Sequence, residues 1–275
     1  MKSWKRPPLD LKISQYVDCY WFLEKDDSDT SLSNPRLNPD PAAHLILTQA
    51  DLPYRYTLKD NEQSGNGAHL LLPYTSTITL HHSEPFAIIG IKFRVGALYS
   101  FAAEPTSHQI NEVINNPANL SPQKPFFDAL LNLGSQDKSE VICAELDRWL
   151  TPLFQKAQED RHSQLVHAAL PILGKVSIEE VADQLHCSRR TLERSFQRVT
   201  GLTLKQYCSM QTLERLLTHL YQLNDSPPDW SDIATQFGFS DQSHLIRSLK
   251  IAIDTTPGDY LKQRDLTIDV YGDFE

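Results

Sequence analysis

From about residue 10 to 110 the apolar positions come in short runs cut by polar, turn-forming stretches. "QYVDCYWFLE" alternates so that Val17, Cys19, Trp21 and Leu23 share one side of a pleat. "AHLILTQ", "HLLLPY", "STITLHH" and "FAIIGIKFRV" follow, separated by "DDSDTSLSNPRLNPDP" and "DNEQSGNG". Short strands with such punctuation predict a sandwich or a barrel. Between about 123 and 158 the period changes: "FFDALLNLG" and "SEVICAELDRWLTPLFQKA" carry apolar residues at helical spacing, with Ser139 placed to cap the second. The polar "QKAQEDRHSQ" reads as a link, and from Leu165 onward the spacing is helical.

The helical part contains a repeat. In "VSIEEVADQLHCSRRTLERSFQRVTGLTLKQY" and "WSDIATQFGFSDQSHLIRSLKIAIDTTPGDY", Val181 matches Ile233, Ala182 matches Ala234 and Leu185 matches Phe237, at an offset of 233 − 181 = 52. Beyond a turn, Leu192 matches Leu245, Arg194 matches Arg247, Phe196 matches Leu249 and Tyr207 matches Tyr260, at 245 − 192 = 53. One residue has been added in the turn and both flanks keep register. Ser177 with Glu180 makes an S-x-x-E capping box, Ser188 is placed to cap the next helix, and Gly201 to end it. In the second copy Gly238 lies at the turn and Ser240 is placed as the cap, while Asp241 would either cap or repel a phosphate. Each copy has the form of a helix-turn-helix, whose second helix enters the DNA major groove. "LKQYCSMQTLERLLTHLYQL" connects them as a helix of roughly 18 residues spanning about 27 Å. Adjacent major grooves on one face lie about 34 Å apart, so one such helix could present both units to neighbouring grooves.

The chain is acidic, with a formal charge of −9, which opposes approach to a phosphate backbone. The excess is uneven. Ser163 to Arg264 holds eleven basic and eleven acidic residues, the first 162 residues fifteen and twenty, and the tail "DLTIDVYGDFE" only acids. Four scattered cysteines (Cys19, Cys143, Cys187, Cys208) fit reduced thiols, not a disulfide framework or zinc site. The basic start lacks an apolar run like that of a signal peptide, and no segment reaches membrane-spanning length, so a cytoplasmic protein without membrane contact is expected.

Two unequal helix-turn-helix units, with "DIATQFGFSDQSHLIRSLK" followed by "TTPGDY", resemble the DNA-binding domain of AraC/XylS-type transcription regulators over about residues 165 to 264. "YVDCYWFLE", "NPDPAAHLIL" and "IGIKFRVGALYSF" are similar to the β-rich amino-terminal domain of one AraC subgroup. The resemblance implies effector sensing or dimerisation for the first half, and RNA polymerase as a partner. The chain departs from the family at Thr212 (usually Arg), Leu245 and Leu249 (usually aromatic), Asp254 (usually Gly) and Val95 (usually Pro in the subgroup).

With Leu192, Phe196 and Val199 inward, the first recognition helix turns Arg190, Glu193, Arg194 and Gln197 outward, with Arg189 and Arg198 at its edges. Arg reads guanine in bidentate fashion, Gln reads adenine, and Glu accepts from cytosine. Arg189 and Arg198 suit phosphates, which set register without sequence information. The second helix offers Gln242, Ser243, His244, Arg247 and Lys250, with Arg247 and His244 as candidates for base contact and Lys250 for electrostatic docking. In an isolated helix the same residues would be a solvated face with Glu193 paired to an arginine.

The expected fold class is α+β: a β-rich, cupin-like barrel or sandwich domain with helices over 1–158, an all-α double helix-turn-helix domain over 163–264, and an acidic tail over 265–275. The expected function is a sequence-specific DNA-binding transcription regulator binding double-stranded DNA, with a small-molecule effector and a homodimer as further expectations. No catalytic residue, metal or cofactor is expected. Two readings compete with it. One is a metal- or small-molecule-dependent barrel enzyme, prompted by His44, His69, His81, His82 and Glu84; but adjacent strand residues face opposite ways, so His81 and His82 cannot share a cavity without a bulge. The other is a protein-interaction module that lost DNA binding, prompted by Thr212 and the low net charge.

Overall fold

Apolar runs that are continuous, not alternating, mark strands covered on both faces. β4 (His44–Thr48) is buried at every position, and it lies inside a sheet with β1 (Lys2–Arg6), β2 (Val17–Lys25), β7 (Ala68–Leu71), β9 (Phe86–Phe93) and β10 (Val113–Asn115). The order is β1-β2-β9-β4-β7-β10. A second sheet runs β3-β8-β5-β6, from β3 (Arg36–Leu37), β5 (Tyr54–Leu58), β6 (Asn61–Gly65) and β8 (Ile78–Leu80). The computed structural model describes residues 2–28, 34–49, 52–58, 61–82, 84–101, 109–134, 138–223 and 228–263. Among these the two sheets do not close into a barrel, so the sandwich alternative is the one realised. The predicted acidic tail, 265–275, lies outside them.

The larger sheet is the middle layer. Tyr20, Phe22, Leu45, Leu47, Ile89 and Ile91 face α2 (Lys124–Leu133) and α3 (Ser139–Phe154). Leu23, Ile46, Leu71 and Ile88 face the second sheet through Tyr54, Tyr56, Ile78 and Leu80. Asp147 on α3 ties the helical layer down: it accepts from the Tyr20 hydroxyl at 2.5 Å and from the backbone N–H groups of Leu9 and Asp10 at 2.8 Å. Burial and that carboxylate raise the Tyr20 pKa well above its usual value.

Some expectations need correction. A register shift between Val17 and Cys19 turns Val17 to the helical layer while Trp21 and Leu23 face the second sheet, so the four residues do not share a side. "NEQSG", read as turn, is strand β6, paired to β5 over Tyr54–Leu58; β1 was also not anticipated. Ser139 is buried in the first turn of α3, and the position before it, Lys138, has no side-chain cap.

The rest is helical: α4 (Arg161–Ala169), α5 (Ile178–Gln184), α6 (Arg189–Thr200), α7 (Leu204–Gln222), α8 (Trp230–Gln236), α9 (Gln242–Ile253) and α10 (Pro257–Gln263), with the short α1 (Ala97–Phe101) in the β-rich part. α7 joins two separate cores. Its first turns give Leu204, Tyr207 and Met210 to one with Leu192, Phe196 and Val199, and its later turns give Leu213, Leu216, Leu217 and Leu220 to another with Ile233, Leu245 and Leu249. Leu at 245 and 249 therefore keeps the second core apolar.

The start and stop signals act locally. Ser177 and Glu180 form the capping box, Ser188 Oγ accepts from the Thr191 N–H at 3.1 Å, and Gly201 ends α6 at φ 75°. On α9 the cap is Asp241, whose Oδ1 accepts from the His244 N–H at 2.7 Å, and not Ser240. Asp254 ends α9 in the left-handed conformation at φ 52°, the geometry that favours glycine at this position.

Candidate nucleic-acid interface

The recognition residues divide by what already holds them. On α6, Arg190, Arg194 and Gln197 are exposed, and their side chains make no hydrogen bond or ion pair among the described residues. Arg189 is different. Its Nε donates to Glu193 Oε1 at 2.8 Å and its guanidinium also pairs with Glu179 on α5. The expected pairing of Glu193 with an arginine is therefore present, and a phosphate would have to compete for Arg189. Arg198 donates from Nε to the Tyr99 hydroxyl at 2.8 Å, with its guanidinium 5.9 Å from the centre of that ring. Tyr99 in turn donates to Asp160 Oδ2 at 2.8 Å. The edge arginines are tied and the central ones are free to meet a ligand.

On α9, Gln242, Ser243, Arg247 and Lys250 are exposed with side chains unengaged among the described residues. His244 is exposed too, but its Nδ1 lies 3.2 Å from Ser240 Oγ and its ring stands edge-on to Phe239. Asp241 is engaged as the cap, which keeps its carboxyl pKa low through the His244 N–H. Arg194 and Arg247 occupy matching places, each two positions after an inward leucine (Leu192, Leu245) and two before the next core residue (Phe196, Leu249).

Both recognition helices end against the β-rich part. Val95, Tyr99 and Ile110 pack on the first core. At the end of α9 the Ala252 carbonyl accepts from the Thr77 N–H at 3.2 Å and hydroxyl at 3.1 Å, and the Ile253 carbonyl accepts from Arg36 at 2.8 Å. Arg36 also lies 3.6 Å from Asp254. Arg36, Thr77, Tyr99 and Ile110 were not singled out from sequence, because they lie far along the chain from what they touch: Tyr99 and Arg198 are 99 residues apart.

Residues 181–263 match the family described as "Helix-turn-helix domain". Proteins named "HTH-type transcriptional activator RhaS", including that of Escherichia coli (strain K12 / DH10B), are 34% identical over 91 residues. The carboxy-terminal half is an AraC-type helix-turn-helix domain. The alignment covers 33% of this chain and 32% of the relative, so the chain spans about a third of the length of the curated relatives it matches. The sandwich, over residues 6–115, matches "Domain of unknown function (DUF6597)". Among solved structures, ToxT from Vibrio cholerae aligns at TM-score 0.49 and 11% identity over 95% of this chain and 98% of that one. A transcriptional regulator from Chromobacterium violaceum, described as having an AraC-type DNA-binding domain, aligns at TM-score 0.34 and 24% identity over 38% of this chain and 97% of that one.

The histidines that suggested a metal go to separate partners. His44 bonds to Asp40 at 3.1 Å, His69 to the Tyr56 hydroxyl at 2.6 Å and His81 to Thr57 at 2.7 Å, while His82 meets the Tyr54 hydroxyl. Among the described residues no three His, Cys, Asp or Glu side chains gather to hold an ion. Burial lowers the pKa of His69 to about 4 and of His82 to about 3. Cys187, in the AraC-type domain, is half-buried, and desolvation raises its pKa, which disfavours the reactive thiolate. No helix among the described residues is long and apolar enough to cross a membrane.

Proposed function

We propose that the chain is a cytoplasmic, effector-responsive transcription regulator that reads two adjacent major grooves of double-stranded DNA with α6 and α9. The observation that carries this is the pair of exposed, unengaged arginines, Arg194 and Arg247, at matching places on two recognition helices joined by α7. Arg190, Arg194, Gln197, Gln242, Ser243 and Arg247 face bases in this reading. Glu193 and His244 approach bases after giving up their present bonds. Arg189, Arg198 and Lys250 meet phosphates. Transcription activation, with RNA polymerase as partner, is the reading suggested by the activators that the AraC-type domain matches, and a homodimer is the assembly expected of it. The reading assigns the chain no catalytic activity and no cofactor.

Selection of binding sites from random duplex DNA tests the reading and yields the half-site spacing. On the selected site Arg194→Ala and Arg247→Ala should each weaken binding by about 1–3 kcal/mol and relax preference at one base position. No enrichment even at low salt would reject DNA reading, and unchanged affinity in either variant would remove that arginine from the site.

A further inference from the structure

A cavity of about 380 Å3 lies between the sandwich and α7, a volume within the range of small-molecule sites. Its walls are mostly apolar: Trp21, Tyr54 and Tyr56 line it from the sheets, and Leu213 and Leu217 from α7. Trp21 owes its place to Gly90, where a Cβ would fall 1.8 Å from the indole Cε2.

The polar groups at the cavity are unequal in what they have left to offer. Its cations are held: Lys92 Nζ lies 3.0 Å from Asp40 Oδ2, and Arg94 donates to the Ser14 carbonyl at 2.6 Å and lies 3.6 Å from Asp18. Asp40 is saturated as well, since it also takes the Ala42 N–H and His44. Acceptors remain too, among them Glu214 and Asn38. The Glu214 carboxylate, on α7, is exposed and makes no hydrogen bond or ion pair among the described residues, and Asn38, which also lines the cavity, has its Oδ1 buried without a partner. Desolvation raises the Glu214 pKa, and Lys92 across the cavity only partly offsets this. A carboxylate-bearing ligand would have to compete with Asp40 and Asp18 for the two cations and would add a negative charge beside Glu214. A ligand with N–H donors and positive charge would satisfy both acceptors, and aromatic faces favour cations.

We propose that this cavity is a binding site for a small organic ammonium compound with an apolar body, its charged end held by Glu214 and Asn38 and its body against Trp21. Because α7 joins the two helix-turn-helix units, occupancy acts on the element that sets their spacing. That consequence rests on the regulator reading, whereas the site itself does not.

Calorimetric titration of the full chain with 2-phenylethylammonium, and separately with 3-phenylpropanoate, tests the site. The ammonium should bind saturably at one site per chain and the carboxylate should not. Glu214→Gln should weaken the ammonium at least about tenfold, the loss of one charge-assisted hydrogen bond, and Asn38→Ala should weaken it less. Glu214→Asp, which keeps the charge, should retain part of the affinity. Equal or tighter binding of the carboxylate, no binding of the ammonium, or undiminished binding in a Glu214→Gln variant with the parental thermal midpoint would each overturn the proposal. Specific DNA binding is measured on the same preparations. Its loss with the titration intact counts against the regulator reading alone, and the converse counts against the site alone.

Discussion

Tyr99→Phe separates two roles of one hydroxyl. In the free protein this hydroxyl accepts from Arg198 Nε and donates to Asp160 Oδ2, both at 2.8 Å, so it links the sandwich to α6 and to the cap of α4. Phenylalanine keeps the ring and removes both bonds. A neutral hydrogen bond contributes about 0.5–1.5 kcal/mol and one to a charged group about 1.5–3. Arg198 is exposed, so its share belongs at the low end. Stability should fall by about 1–3 kcal/mol, read as a lower urea midpoint at constant m-value. DNA affinity should move the other way. Where Arg198 swings from Tyr99 onto a phosphate, the bond it gives up opposes binding, so removing that bond should tighten binding about two- to threefold at low salt. The assay is fluorescence anisotropy on a selected site, with Arg198→Ala as the second arm of a double-mutant cycle. In the Arg198→Ala background Tyr99→Phe should leave DNA affinity unchanged. If affinity falls together with stability, or rises equally without Arg198, the reasoning fails.

Two further expectations concern the fold. Gly96 has φ 81°, and a Cβ there would lie 2.8 Å from Val199 Cγ1 on α6, so Gly96→Ala should destabilise the chain by about 2–4 kcal/mol through left-handed strain and overpacking; an unchanged urea midpoint would show that the two halves do not pack this way. His69 and His82 are buried with pKa lowered to about 4 and about 3, so the unfolded chain binds protons that the folded chain refuses. Their contribution is present above pH about 6.5 and is lost as pH falls towards 4, by up to about 1.4 kcal/mol per pH unit for each histidine. Urea denaturation between pH 7.5 and 5 checks this, and the slope should flatten in His69→Gln/His82→Gln; a slope unaltered in that variant would assign the acid sensitivity to other groups.

The AraC-type half was legible along the chain because its information is local. A cap sits three residues from the N–H it satisfies, as Ser188 does from Thr191, and a buried stripe recurs within one helix, as at Leu192, Phe196 and Val199. Even there Ser240 and Asp241 offer similar oxygens one residue apart, and of the two it is Asp241 that caps α9. The sandwich was less legible. Its central strands are buried on both faces, so period-two alternation vanishes, and one bulge at Val17 reverses the facing of residues before it.

By itself, then, the sequence determined the helix-turn-helix repeat, its caps and the outward set of Arg190, Arg194, Gln197 and Arg247, because each depends on helical period and on partners within a few residues. Only the tertiary structure decided which arginines are free. Arg189 and Arg198 look alike in sequence, yet one is claimed by Glu179 from the preceding helix and the other by Tyr99 from the sandwich. The same holds for the cavity: Asn38 and Glu214 are far apart in the chain and line one space only where the sandwich docks on α7. Charge state, exposure and leftover hydrogen-bonding capacity depend on every neighbour a side chain has. Most of those neighbours are remote in sequence, so no local pattern records them.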